Sequence, residues 1–325
     1  MPVRREARAS NPLENVPNRL IQLRSATRMC DVGGMRPVLQ DLIETAGRHA
    51  RGRRTTTAIP HVLISRSETP TPPEPHLCGP AALFVLQGSK TVLIGDRILR
   101  YDSGHHFVYT VEVPATGQVV GASADHPYLA IGFRYDRRVA AALLADIQPT
   151  IGEHGLTTHP IDDDLLDAWC RMMRLLDRPA EIPVLAPMIE REILFRLLQG
   201  PHGARLRQHL RADRATLGIR KAIGWIRAHY DQSLQVRQLA AIAHMSVASF
   251  HRQFKETTAM SPIQYQKQVR LLAARQRLII QPGNIAHIAI AVGYKSTSQF
   301  SREYSRQFGS PPARDTARFT ARSSR

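Results

Sequence analysis

The last third of the chain contains a weak internal duplication with an offset of 50 residues. Small and apolar residues recur first, and a serine and two aromatic residues follow at the same spacing in both copies. The matched pairs are Val236 and Ala286, Ala240 and Ile290, Ala243 and Gly293, Ser246 and Ser296, Phe250 and Phe300, and Phe254 and Tyr304. We therefore expect both copies to fold into the same supersecondary structure.

Each copy predicts two short helices joined by a turn. The first helix carries an apolar stripe, formed by Val236, Leu239, Ala240 and Ala243 in one copy and by Ile285, Ile288, Ala289 and Val292 in the other. Ser246 and Ser296 fit the N-cap position of the second helix. The predicted inward positions of the second helices are Val247, Phe250 and Phe254, then Phe300, Tyr304 and Phe308. This pattern is a helix-turn-helix, whose second helix can enter the major groove.

The outward faces of the second helices are the candidate DNA-reading surfaces. They carry Ala248, Ser249, His251, Arg252 and Lys255 in the first copy, and Thr297, Ser298, Ser301, Arg302 and Arg306 in the second. Arginine can pair with guanine through two hydrogen bonds, and serine or threonine can contact bases or phosphates. One copy alone would fit an ordinary helical bundle, but two copies with matching caps and aromatic residues favour a pair of helix-turn-helix units.

The segment between the copies, Pro262 to Gln281, is predicted to form one long helix with Pro262 in its first turn. Twenty helical residues span roughly 30 Å. Successive major grooves on one face of B-DNA are about 34 Å apart. We therefore expect one chain to contact two successive major grooves through helices 246–256 and 296–307.

Positive charge is concentrated in this same third of the chain. Residues 219–325 contain 17 Lys or Arg against 4 Asp or Glu, in a protein of net charge +17. A concentrated positive field attracts polyanions, and counterion release contributes much of the free energy of DNA binding. A basic surface with no nucleic-acid partner is the alternative that composition alone leaves open.

The N-terminal part is predicted to be β-rich. Short apolar segments separated by Gly, Pro and Asp turns favour a small barrel or sandwich. The predicted strands are His61–Ser67, Ala81–Gln87, Thr91–Ile94, Phe107–Val113 and Tyr128–Arg134, and Pro114 to Gly117 is among the predicted turns. The helices predicted to follow lie near Val139–Ile147, Asp162–Leu176 and Pro187–Gln199.

These patterns predict an α+β protein of two domains. We expect a disordered extension over 1–34, a barrel domain with trailing helices over 35–200, a linker over 201–218 and an all-α DNA-binding domain over 219–325. Met35 is an alternative start, because the first amphipathic stretch begins there. No secretory signal or spanning segment is expected, and three distant cysteines favour a reducing cytoplasm.

The C-terminal residues resemble the AraC family of transcriptional regulators. The residues that carry the resemblance are LAAIAHMSVASFHRQFKETTAMSPIQYQKQVRLLAARQRL from Leu239 and IAIAVGYKSTSQFSREYSRQFGSPPARD from Ile288. The resemblance implies base or phosphate contacts at Ala248, His251, Arg252, Thr297, Ser298, Ser301 and Arg302. Ala259, where many members carry glycine, and Ser249, where bulkier residues are common, depart from the pattern.

The N-terminal residues resemble the cupin-like sensory domain of an AraC subgroup. The resemblance rests on TPTPPEPHLCGPAALFVLQGSKTVLIGDRILRYDSGHHFVYTVEVPATGQV from Thr69 and on DHPYLAIGFRYD from Asp125. It implies a small barrel that binds an effector of unknown identity, forms a homodimer, or does both. The implied partners are promoter DNA and RNA polymerase, with no membrane.

Catalytic and metal chemistry has little support in the sequence. A metal site from His76, His106 and Glu112 is conceivable for a cupin, although ordinary core or solvated histidines are the more common case. Cys78 is a candidate thiol sensor, and a buried apolar role is its alternative. We expect no enzyme activity, resident metal or cofactor. The alternatives left open are a metal-dependent cupin enzyme and an architectural DNA-binding protein.

Overall fold

The N-terminal domain is built on two antiparallel sheets. The computed structural model describes residues 37–145, 147, 156–211, 214–280 and 284–323, so the predicted extension over 1–34 and Met35 lie outside the described residues. One sheet has the strand order β1-β2-β9-β4-β7-β10, and the other has the order β3-β8-β5-β6. The strands are β1 Arg54–Thr56, β2 Val62–Ser67, β3 Glu74–Cys78, β4 Ala81–Gln87, β5 Ser89–Ile94, β6 Arg97–Asp102, β7 His105–Tyr109, β8 Val113–Gly121, β9 Tyr128–Phe133 and β10 His159–Pro160.

Five α-helices accompany the sheets in the described part of this domain, and their buried apolar side chains share a core with the outer face of the six-stranded sheet. They are α1 Pro37–His49, α2 Arg137–Ala142, α3 Asp163–Arg174, α4 Ile182–Gln199 and α5 Gly203–Leu210. Phe84 of β4 and Phe133 of β9 contact Trp169 of α3, with ring centroids 4.6 and 5.6 Å apart. These three side chains are almost fully buried, so the helices and the outer sheet face share one hydrophobic core.

The space between the two sheets is a second core. Lys90, Val92 and Ile94 alternate along β5 and share a face with Leu99 and Tyr101 of β6, as the register of the two strands requires. Phe107, Tyr109 and Tyr128 line the same interior from the six-stranded sheet. The predicted α+β fold with a small N-terminal barrel is therefore confirmed.

Two predictions about strands were wrong. Phe107–Val113 is not one strand, because the chain leaves the six-stranded sheet after Tyr109 and enters the other sheet at Val113. The predicted turn at Pro114 to Gly117 lies inside β8. Gly117 is not a turn residue here: a Cβ atom at this position would lie 2.8 Å from Lys90 Cε and 3.2 Å from His76 Cε1. The glycine makes room for these two side chains.

The prediction also missed β1, β3, β6 and β10. His76, which we expected in a proline-rich loop, lies on β3, opposite Ala115 of β8. Pro75 precedes it in the same strand, which is possible because β3 is an edge strand of its sheet. The prolines therefore led to a wrong prediction of a loop. On an edge strand, a residue without an N–H is tolerated where no neighbouring strand would accept its hydrogen bond.

The C-terminal domain is helical. Its helices are α6 Arg214–Ala228, α7 Val236–Ile242, α8 Val247–Thr258, α9 Pro262–Ile280, α10 Ile285–Ala291, α11 Thr297–Phe308 and α12 Pro312–Ser323. The segment predicted as a linker, 201–218, contains α5 and the start of α6, and Leu206 and Leu210 are buried in the core of the N-terminal domain. Within the described residues, no helix is both long enough and apolar enough to cross a bilayer.

The sequence offset between matching residues of the two copies is not constant. α7 and α10 begin 49 residues apart, at Val236 and Ile285, whereas α8 and α11 begin 50 residues apart, at Val247 and Thr297. The second turn is therefore one residue longer, and three predicted pairings were wrong by one residue: Val236 with Ala286, Ala240 with Ile290 and Ala243 with Gly293. The buried stripes agree with the shorter offset, because Ala240 matches buried Ala289 while Ile290 is 69% exposed.

Candidate nucleic-acid interface

The first reading helix, α8, begins and ends at well-defined caps. The Ser246 hydroxyl accepts a hydrogen bond from the Ser249 backbone N–H at 3.3 Å, as its predicted N-cap role requires. Phe250 and Phe254 are buried, so these predicted inward positions are confirmed. The prediction for Val247 was wrong: it is 41% exposed because it occupies the first helical position, before the helix packs on the core.

The second reading helix, α11, repeats this design. Ser296 accepts a hydrogen bond from the Gln299 N–H at 3.3 Å. Phe300 and Tyr304 are fully buried, and Phe308 packs on Tyr304 with a ring-centroid distance of 4.4 Å. Because the buried side fixes the rotation of each helix, the opposite side of both helices is left to face a partner.

The predicted reading residues lie on these opposite sides. Six side chains are exposed, namely Ala248, Arg252, Lys255, Thr297, Ser298 and Arg302. Four are half-buried, namely Ser249, His251, Ser301 and Arg306. Within the described residues, the side chains of Arg252, Lys255, Arg302 and Arg306 form no ion pair, so their charges are available to a polyanion.

The cations of the connecting helix α9 have a different role, which sequence reasoning missed. Arg270 donates to the backbone carbonyls of Gln232 and Gly293, at 2.7 and 3.0 Å, and so joins the two helix-turn-helix units. Arg277 donates to the Tyr230 hydroxyl at 3.1 Å. No spacing rule separates such arginines from DNA-binding ones, because the carbonyls that they bind come from distant parts of the chain.

Two acidic residues anchor the second unit to α9. Asp315 of α12 accepts hydrogen bonds from Arg275 Nε at 3.0 Å and from the Tyr304 hydroxyl at 2.9 Å. Glu303 of α11 pairs with Lys267 Nζ at 2.7 Å and accepts from the Tyr294 hydroxyl at 2.8 Å. Burial opposes ionisation of Glu303, but the bonds from Lys267 and Tyr294 outweigh it and hold the pKa of this carboxyl below its usual value.

The conceivable metal ligands do not converge. His76 faces the barrel interior, His106 stacks on Phe84 at the outer face of the sheet, and Glu112 pairs with Arg227 of α6. Among the described residues, no group of three or more His, Cys, Asp or Glu side chains is arranged to hold a metal ion. Cys78 lies in the barrel interior, where burial raises the pKa of its thiol and so disfavours the reactive thiolate.

The fold and these surfaces define a class: a two-domain protein in which a small barrel with trailing helices precedes paired helix-turn-helix units. Residues 58–205 match the profile described as AraC-type transcriptional regulator N-terminus, and residues 239–318 match a helix-turn-helix domain. The chain belongs to the AraC family of transcriptional regulators, as the resemblance predicted.

Curated relatives and a solved structure agree with this assignment. The chain is 28% identical over 153 residues to the transcriptional activator RhaS of Escherichia fergusonii, covering 47% of this chain and 54% of RhaS. It is 32% identical over 95 residues to RhaS of Pectobacterium carotovorum, covering 29% of this chain and 34% of that relative. The chain thus spans about half or less of the length of these relatives.

ToxT from Vibrio cholerae, solved bound to (E)-4-(8-methylnaphthalen-1-yl)but-3-enoic acid, covers more of the fold. It has a TM-score of 0.51 and 8% identity, over 82% of this chain and 99% of the ToxT chain. At this identity the similarity shows the fold alone. It extends over both domains, which the RhaS matches do not.

Proposed function

We propose that this protein is a sequence-specific DNA-binding transcriptional regulator that contacts two successive major grooves through helices 246–256 and 296–307. The observation that carries the proposal is the pair of matched reading helices at the two ends of one continuous helix. Each carries outward cations that form no ion pair in the part of the chain that the structure describes. α9 has 19 residues, which span about 28 Å. This length suits the repeat of about 34 Å between successive major grooves.

A titration followed by fluorescence anisotropy tests base reading. Native intergenic DNA and scrambled DNA are compared at several salt concentrations, with wild type, Arg252→Ala and Arg302→Ala. We expect native DNA to bind about a thousandfold more tightly, and each variant to lose about 1–3 kcal/mol of that preference. Lys221→Ala is the matched control, because Lys221 is exposed on α6 and lies outside the reading helices.

The same titration separates the regulator from an architectural DNA-binding protein. If scrambled and native DNA bind alike and the arginine variants weaken both equally, the reading helices contact only phosphates. That result would overturn sequence-specific regulation. A strong salt dependence alone would not, because counterion release accompanies both kinds of binding.

The regulator is further proposed to respond to a small effector in the barrel domain. Contacts between the domains support this step. The Tyr265 hydroxyl of α9 donates to the Glu112 carbonyl at 3.0 Å, Arg227 pairs with the Glu112 carboxylate, and β3 lies against both α9 and α11. A ligand that favours one arrangement of these elements would shift the population of DNA-binding states. In this proposal the protein acts in the cytoplasm, binds promoter DNA and contacts RNA polymerase.

We also propose that the protein forms a homodimer, with a second copy of this chain as the partner. Val184, Met188 and Phe195 follow one face of α4 at helical spacing and are 66%, 65% and 39% exposed. Exposed apolar side chains that form such a row are typical of an interface. Analytical ultracentrifugation of wild type and Met188→Glu tests it: we expect the variant to shift towards monomer, and identical sedimentation of the two would count against this face.

A further inference from the structure

The buried side chains of the two helix-turn-helix units form separate clusters. Along α9, Val269 belongs to the cluster of the first unit and Leu271 to that of the second. Tyr230, in the loop between α6 and α7, is partly buried against both clusters. Apolar contact is non-directional, so it restricts the distance between the units more than it restricts their rotation. We therefore looked for directional bonds at the boundary between Val269 and Leu271.

Arg270 lies at this boundary and donates to backbone carbonyls of both units. Its Nε binds the Tyr230 carbonyl, and one terminal nitrogen binds the Gln232 carbonyl at 2.7 Å, both in the loop that leads into the first unit. The other terminal nitrogen donates to the Gly293 carbonyl at 3.0 Å, in the turn of the second unit. A guanidinium is planar and its N–H groups have fixed directions, so it holds the loop and the turn in one geometry.

The loop and the turn also contact each other directly. A Cβ atom at Gly293 would lie 2.1 Å from the Asp231 carbonyl oxygen and 2.8 Å from a terminal nitrogen of Arg270. The backbones of the two units thus meet here with no room for a side chain between them. α9 is one connection between the units, and this contact is a second one. Two connections prevent a rotation that a single connection would allow.

Two more side chains on the same face of α9 support this contact. Gln266 donates to the Gln232 carbonyl at 2.8 Å, and Arg277 donates to the Tyr230 hydroxyl at 3.1 Å. They lie four residues before and seven residues after Arg270, which is the spacing of one helix face. Gln266 is buried and Arg277 is exposed, so Arg277 can be replaced with little effect on the fold.

The geometry of DNA makes a fixed rotation relevant to recognition. B-DNA completes one turn in about 10–10.5 base pairs, so one added base pair moves a half-site by about 3.4 Å and rotates it by about 35°. Two reading helices that are fixed relative to each other accept one spacing of half-sites. Helices that can rotate relative to each other accept several spacings, with a lower affinity for the best one.

We propose that Arg270 is a positioning residue that fixes the rotation between the reading helices α8 and α11, and so determines which spacing of half-sites the protein accepts. The effect on spacing rests on the proposed function, whereas the fixed rotation is a property of the protein without DNA. Arg270 acts through the loop and the turn, and this role needs no contact with a base.

Binding to DNA with altered spacing tests the proposal. Footprinting on the native intergenic DNA locates the two half-sites, and fluorescence anisotropy compares this DNA with versions that have one base pair inserted or deleted between them. We expect wild type to bind the altered DNA about thirtyfold more weakly, because the second unit loses its base contacts. Arg270→Gln should reduce this penalty to about threefold and bind the native spacing more weakly than wild type does.

Three further variants assign the effect. Arg270→Lys keeps the charge but not the planar fork, so it should behave like Arg270→Gln. Arg277→Gln, at an exposed position, should give a penalty between those of wild type and Arg270→Gln. Val269→Ala is the control: it removes buried methyl groups and lowers the Tm but keeps the bonds of Arg270, so its penalty should equal that of wild type.

A distance measurement tests the fixed rotation without DNA. Spin labels at Ala248→Cys and Ser298→Cys occupy equivalent exposed positions of the two reading helices, in a parent whose three native cysteines are replaced by alanine. Pulsed electron spin resonance should give a narrow distance distribution in this parent and after Val269→Ala, and a broader one after Arg270→Gln. Equal widths in the parent and in Arg270→Gln would overturn the proposal.

The two measurements separate this inference from the proposed function. If wild type prefers native DNA but Arg270→Gln and Arg277→Gln keep the full penalty for altered spacing, the regulator stands and the positioning role fails. If native and scrambled DNA bind alike while the distance distribution broadens in Arg270→Gln, sequence-specific regulation fails and the fixed rotation stands.

Discussion

At the scale of single residues, the two reading helices end in the same way but with different residues. Ala259 follows α8 with φ at 58°, and Gly309 follows α11 with φ at 71°. Both donate their N–H to the carbonyl four residues earlier, at 2.8 Å. Glycine adopts this left-handed conformation without penalty, whereas an L-residue with a Cβ pays about 1–2 kcal/mol. The departure from glycine noted in the sequence is thus a strained cap.

Ala259→Gly should therefore stabilise the protein. Relief of the left-handed strain exceeds the added entropy of the unfolded chain and the loss of a methyl group, and leaves a net gain of about 0.5–1 kcal/mol. Urea unfolding measures this gain. Ala273→Gly, inside α9, is the matched control and should lose about 1 kcal/mol. Equal losses in both variants would show that the cap at Ala259 is not strained.

Gly293 lies in the turn of the second helix-turn-helix unit. Its φ is 87°, a left-handed conformation that glycine adopts without penalty. A Cβ atom there would also lie 2.1 Å from the Asp231 carbonyl oxygen, so close packing adds a second requirement that no local pattern reveals. The corresponding turn of the first unit has His244 at a φ of 55°, which the offset of 50 did not detect.

At the scale of elements, long helices with a regular apolar pattern are easier to predict from the sequence than strands. α9 begins at Pro262 as predicted, and β4 has the predicted bounds Ala81–Gln87. Among the strands that were missed, β3 and β8 contain Pro75 and Pro114, and β6 has a weak alternation of exposed and buried residues. The other two, β1 and β10, have only three and two residues. Whether proline is tolerated depends on the neighbouring strand, which a single sequence does not specify.

The contact between α9 and α11 predicts a pH dependence of stability. The pKa of Glu303 is depressed in the folded state, so its contribution is present above the ordinary glutamate pKa of about 4.3 and is lost as the pH falls through the folded value. Glu303→Gln should lower the free energy of unfolding by about 1–3 kcal/mol at pH 7. The gap from wild type should narrow as the pH falls from about 4.3 towards the folded pKa of Glu303.

Urea unfolding at pH 7 and at pH 3.5 measures this gap. Glu256→Gln is the control, because Glu256 is exposed on α8 and lies away from α9. A gap that does not change with pH would mean that Glu303 acts through packing or neutral hydrogen bonds, without the charge pair with Lys267.

At the scale of the whole molecule, the hydrophobic cores do not follow the domain boundary. The barrel interior and the first helix-turn-helix unit share one buried cluster, which runs from Tyr101 and Val113 to Phe254 and Tyr265. The second unit has its own cluster around Phe300 and Tyr304. The first reading helix thus shares the core of the barrel, while the second is held through α9, its ion pairs and contacts with β3. Nothing in the periodicity of the sequence indicates this division, since it arises from contacts between distant segments.

This division predicts which parts of the protein open together. Tyr265 is fully buried and donates to the Glu112 carbonyl, so Tyr265→Phe removes the partner of a part-buried acceptor at the boundary, at a cost of about 1 kcal/mol. Hydrogen exchange should then accelerate together in β8 and in the first unit, with little change in α11. Tyr230→Phe, which removes the contact with Arg277, should instead accelerate exchange in the second unit. Faster exchange confined to the first unit in Tyr265→Phe would show that barrel and reading helix are separate cooperative units, and an effector in the barrel would then need another route to the DNA.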